Sequence, residues 1–126
     1  MFETEEQKER IILVAVATAD GDDTEQSLDE LEELGQTAGA VTVAKVIQNR
    51  EKVHAGTYVG KGKIEEIKNL AISLDADTVV CDDELSPAQY HNLQDALEIK
   101  VIDRTVMILD IFAKRASTSE GKLQVE

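Results

Sequence analysis

The chain has 126 residues, with 26 acidic and 13 basic side chains and a formal net charge of −13, a size that suits one domain with one self-sufficient core. That charge opposes autonomous binding to nucleic acid, because affinity for phosphates comes largely from Lys and Arg displacing counterions; only a local basic patch within a larger assembly is compatible with it. No apolar run approaches the roughly 18 residues of a membrane span, and the polar, acidic stretch from Met1 to Arg10 lacks the basic-then-apolar pattern of a signal peptide, so a cytoplasmic protein is expected.

Residues 1–9 read as an acidic leader and residues 10–116 as an α/β lobe. The continuous run Ile11 to Val16 predicts a strand buried on both faces, hence a central parallel strand. Thr24 is a candidate helix cap, followed by Leu28, Leu31 and Leu34 at helical spacing with acids on the outer face, and the helix should stop between Gly35 and Gly39. Val41 to Ile47 is more mixed, as expected of a strand nearer an edge. Gln48 to Lys63 is the longest candidate loop, and it runs into a helix striped by Ile64, Ile67, Leu70, Ala71 and Leu74.

Thr78 to Cys81 predicts a third, buried strand, in which the single cysteine is a structural thiol and not a nucleophile. Ser86-Pro87-Ala88-Gln89 is a strong helix start, with Ser86 as cap, Pro87 at the first helical position and Gln89 closing a capping box; Leu93, Ala96 and Leu97 continue its stripe. Lys100 to Asp103 predicts a fourth strand, after which Arg104 and Thr105 open a helix from Val106 to Arg115. That helix is apolar nearly all round, so it needs cover on more than one side. Residues 117–126 turn polar. The whole predicts a three-layer α/β domain, its four-stranded, mainly parallel sheet in the order 2-1-3-4 and flanked by helices.

Ligands of open α/β sheets bind beyond the carboxyl ends of the strands, where strand order reverses. Asp20, Asp22 and Asp23 should meet Asp82, Asp83 and Glu84 there, a cluster able to attract Mg²⁺ in a domain resembling the receivers of two-component signalling. Against that reading, the first acid comes late, a fifth strand is missing, and the only proline is Pro87, so no Lys-Pro pair exists. A turn at Asp20 to Asp23 and a lead-in to the Ser86 cap account for the same acids. His54 and His91 lack partners at zinc-ligand spacing, and no nucleophile elbow is present. The residues themselves describe a binding or regulatory domain, with no catalytic residue and no metal ligand, and leave a free-standing metal- or nucleotide-sensing domain as the alternative.

The run Thr57-Tyr58-Val59-Gly60-Lys61-Gly62-Lys63 invites a phosphate-loop reading that its spacing refuses. Five residues, not four, separate Gly56 from Gly62, and Ile64 stands where a metal-binding hydroxyl belongs. The dinucleotide fingerprint fails as well, since its third glycine would be Glu65.

Taken together, Thr57 to Lys63, Asp82 to Gln89, and Val101 to Thr105 running through Ile108 to Ala113 and Arg115-Ala116 resemble the N-terminal domain of the HflX-type translational GTPases. Glu120 to Glu126 and the helix around Ser27 to Leu34 fit the same family, in the same order along the chain. The resemblance implies an α/β lobe over residues 10–116 and, over residues 117–126, the start of a helical hairpin that the sequence does not complete. It implies no cofactor for this stretch, with GTP and Mg²⁺ held by a separate G domain whose motifs are not in the sequence. The partners it implies are the ribosome, chiefly its large subunit, where family members split or rescue stalled ribosomes, together with the protein's own G domain and hairpin; no membrane is involved. The residues expected to contact RNA or the G domain are Tyr58, Gly60, Lys61, Gly62, Lys63, Arg104 and Arg115. Without the hairpin or G domain to cover it, the last helix is expected to favour self-association.

Overall fold

Six consecutive apolar side chains, Ile11 to Val16, are all buried, which requires cover on both faces of the strand that carries them. The computed structural model, which describes residues 8–18 and 23–113, meets that requirement by placing β1 (Glu9–Ala17) between two parallel neighbours, β2 (Ala40–Asn49) and β3 (Thr78–Cys81). β4 (Lys100–Asp103) pairs with β3, also parallel, and the sheet order is β2-β1-β3-β4, as the sequence predicts.

Alternation along β1 divides its side chains between two cores. Ile12, Val14 and Val16 face α2 (Lys61–Leu74) and α3 (Pro87–Leu97), packing with Ile64, Ile67, Leu93 and Leu97. Ile11, Leu13 and Ala15 face α1 (Thr24–Thr37) and α4 (residues 104–113), packing with Leu28, Leu31, Met107 and Ile111. Gly35 lets α1 lie close to the sheet, since a Cβ there would stand 3.0 Å from Cδ1 of Ile11 and 3.9 Å from Cε of Met107. Register slips once, between Ile11 and Ile12, where β2 inserts Val43 as a bulge on the edge strand.

Several boundaries differ from expectation. β1 starts at Glu9, so the acidic leader gives its last residue to the sheet; residues 1–7 lie outside the described residues. Asp23, not Thr24, occupies the cap position of α1: the Asp23 carbonyl accepts the first helical bond from Ser27 N–H at 2.8 Å, which places Thr24 inside the helix. Gln48 and Asn49 belong to β2 and Lys61 opens α2, so the long loop shrinks to residues 50–60. Arg104 and Thr105 are already helical, because Asp103 caps α4. The expected hairpin entry at residues 117–126 lies outside the described residues.

Candidate docking surface at the carboxyl ends of the strands

β1 runs three residues past the point where β3 stops: Val14 pairs with Cys81, and Asp82 N–H still donates to the Val14 carbonyl at 2.9 Å. Val16 N–H, next on that side, has no strand to meet. A tyrosine hydroxyl replaces the missing carbonyl: Val16 N–H donates to Tyr58 Oη at 3.3 Å, and Tyr58 Oη donates to Asp83 Oδ2 at 2.8 Å. At the carboxyl ends of the strands, where an open α/β sheet would receive a ligand, the protein's own Tyr58 side chain, only 1% exposed, thus bridges the end of β1 to the loop after β3. Burial, assisted by the neighbouring Asp83, pushes the Tyr58 phenol far above its usual range, so it stays a donor at any physiological pH.

The loop that delivers Tyr58 is tightly made. His54 and Tyr58 form an antiparallel bridge with bonds of 2.9 and 3.2 Å. His54 Nδ1 accepts from Gly56 N–H and Thr57 N–H at 3.1 and 3.2 Å. Val59 N–H donates to the Thr57 carbonyl at 2.6 Å, closing a γ-turn around Tyr58, whose φ is 70°. A γ-turn of this hand is rare, and a non-glycine residue held there costs on the order of 1–3 kcal/mol. α3 holds the loop down: Gln89 Nε2 donates to the His54 carbonyl and Asn92 Nδ2 to the Gly56 carbonyl, each at 2.9 Å. Gln89 also completes the expected capping box, its Oε1 accepting from Ser86 N–H at 2.9 Å while Ser86 Oγ accepts from Gln89 N–H at 3.1 Å.

The acids after β3 have separate partners. Asp82 faces the α1 and α4 layer: Arg104 Nη2 donates to its Oδ1 at 2.7 Å and to the Ser27 carbonyl at 2.8 Å, and Ser27 Oγ donates to its Oδ2 at 2.7 Å. Asp83 is held by Tyr58. Among the described residues no cluster of His, Cys, Asp and Glu could hold a metal ion, and Asp20 and Asp22 lie outside the described residues. Buried Asp103 accepts from Leu85 N–H at 2.9 Å and Val106 N–H at 3.0 Å, fixing both the loop after β3 and the start of α4. Cys81 is buried, and desolvation, reinforced by Asp103, Asp83 and Asp82, pushes its thiol well above the usual range, which removes it as a nucleophile.

At the rim, α2 begins. Gly60 N–H donates to Gln48 Oε1 at 2.8 Å, and Ile64 N–H to the Gly60 carbonyl at 3.0 Å. Its first turn has no acidic residue and no side-chain cap bond. Lys61 is exposed, Lys63 pairs with Glu66 at 3.0 Å, and a Cβ on Gly62 would meet nothing within 4 Å among the described residues. Gly60 through Lys63 therefore form one surface, with Tyr58 buried beneath it. Arg104 lies on the opposite face of the sheet, bound inward to Asp82 and Ser27, and Arg115 lies outside the described residues. On α4, Met107 and Ile111 are buried while Leu109 and Phe112 are 58% and 60% exposed.

Sequence reasoning misses the Tyr58 plug, the clamp from Gln89 and Asn92, and Asp103. Only the last carried a signal, an aspartate directly before a helix start.

Comparison with known proteins follows this architecture. A family model described as the GTP-binding GTPase N-terminal domain matches residues 25–113. The GTPase HflX of Lacrimispora saccharolytica is 66% identical over 126 residues, covering all of this chain and 30% of the relative. The Escherichia coli GTPase HflX is 42% identical over 126 residues, again covering all of this chain and 29% of the relative. The chain thus spans just under a third of the length of these curated relatives. Among solved structures, a complex of SsGBP with GDP superposes with a TM-score of 0.62 at 21% identity, covering 93% of this chain and 32% of that one. A GTP-binding protein of Sulfolobus solfataricus in complex with GDP gives 0.55 at 18% identity, covering 81% and 30%; at these identities the likeness is one of fold. The chain belongs to the GTP-binding GTPase N-terminal family and corresponds to the N-terminal domain of an HflX-type GTPase.

Proposed function

We propose that this domain docks and regulates a cytoplasmic, ribosome-binding GTPase, associating chiefly with the large ribosomal subunit in the splitting or rescue of stalled ribosomes. GTP and Mg²⁺ belong to a G domain outside these residues, and the lobe itself binds neither. The observation that carries this reading is the closed crevice: Tyr58 fills the place where such a sheet would take a small ligand, so recognition falls to outer surfaces.

Two such surfaces support it. At the start of α2, Lys61 and the open space over Gly62 offer a local cationic rim in an otherwise acidic molecule, suited to a phosphate-bearing partner at close range. On α4, Leu109 and Phe112 form an uncovered apolar face suited to the parent's hairpin or G domain. Arg104 contributes indirectly, by tying α4 to α1 and to the end of β3.

Calorimetric titration of the 126-residue chain with GTP, with ATP and with Mg²⁺ tests the division of labour. No tight binding is expected; a micromolar or tighter site for any of them would favour a free-standing nucleotide- or metal-sensing domain instead.

A further inference from the structure

The loop that closes the crevice combines features that a passive plug does not need. Tyr58 sits at φ 70° inside a γ-turn, a backbone state that aromatic residues rarely adopt. Its side chain is buried, yet the hydroxyl stands in for strand backbone, bonding Val16 N–H on one side and the exposed Asp83 on the other. Only Val59 separates it from Gly60, where the first helical bond of α2 is made. Loop, helix start and strand end are therefore joined through one strained residue.

We infer that Tyr58 is a latch with two states: closed, as described, and open, with the turn relaxed, the ring out of the crevice, and Val16 N–H and Asp83 free for water. Opening relieves the left-handed backbone at residue 58 and shifts Gly60, so the presentation of Lys61 to Lys63 and the state of the crevice change together. Water can satisfy Asp83 at once because it is exposed, so opening is opposed by Val16 N–H, the buried ring and the backbone bonds that Tyr58 exchanges with His54. A partner that grips residues 60–63 biases the latch; that clause rests on the docking reading, whereas the latch itself does not, so its test needs no partner.

Native-state hydrogen exchange on the 126-residue chain, followed by NMR at low denaturant concentrations, is decisive. The latch predicts that the amides of Val16, Tyr58 and Gly60 exchange through one shared opening. That opening should be at least about tenfold faster than exchange at Leu13 and Val14 and nearly independent of denaturant. Tyr58→Phe, which removes the hydroxyl, should widen the gap between Val16 and Leu13 by about tenfold, the effect of one hydrogen bond. Exchange of Val16 at the rate and denaturant dependence of Leu13 would overturn the proposal. So would rapid exchange of Tyr58 and Gly60 with Val16 left protected, because that is the signature of a loosely held loop and not of a latch. Both of these outcomes are read on the unmodified chain, so the test survives if the variant fails to fold.

Discussion

Asp103 serves two backbone segments with one carboxylate, and no other acid among the described residues is buried as completely. Removing it leaves two N–H groups unsatisfied, one of them in the first turn of α4. Asp103→Ala should therefore lower unfolding stability by about 1–3 kcal/mol, read as a shifted urea midpoint with an unchanged slope. Gly62 is the opposite case. It stands inside a helix with open space around it, so Gly62→Ala should stabilise the lobe by about 0.5–1 kcal/mol while weakening any partner that approaches the backbone there. A destabilised Gly62→Ala would mean that the glycine serves the lobe itself. The capping box of Ser86 and Gln89 was legible in the sequence because it depends on residues three apart. Tyr58 was not: its conformation and burial are set by β1, α3 and Asp83, far from it in the chain.

At the scale of elements, β1, β3 and the three helices α1 to α3 could be read from apolar runs and stripes because each buries a pattern that its own sequence displays. Boundaries moved where hydrogen bonding, not hydrophobicity, sets them: Glu9 joins the sheet, and Arg104 joins α4 behind the Asp103 cap. α4 is the element whose pattern exceeds its environment, since Met107 and Ile111 are covered while Leu109 and Phe112 are not. Sedimentation of the 126-residue chain should accordingly reveal concentration-dependent self-association. The pair Leu109→Gln and Phe112→Gln should abolish it and change stability by less than about 0.5 kcal/mol, as expected of exposed positions. A strict monomer at high concentration would contradict the expected self-association through this face.

For the whole molecule, the sheet order followed from alternation of strands and helices together with right-handed crossovers, and the failed spacing of the Gly60 to Lys63 run already argued against a phosphate loop. What the structure adds is position: the buried Tyr58 bridges the carboxyl ends of β1 and β3, and the glycine-lysine run stands at the start of a helix. The acidic pocket expected at the switch point is divided, with Asp82 engaged by Arg104 and Ser27 and Asp83 by Tyr58. On the proposed docking role, the lobe acts through its outer surfaces. The central measurement is cosedimentation of the full-length parent with isolated large ribosomal subunits, comparing the intact protein, a version lacking residues 1–113, and one carrying Lys61→Glu with Lys63→Glu. Pelleting of the intact protein, loss without the lobe, and at least about tenfold weaker, more salt-sensitive binding for the charge-reversed variant are expected; equal pelleting of all three would contradict the docking role.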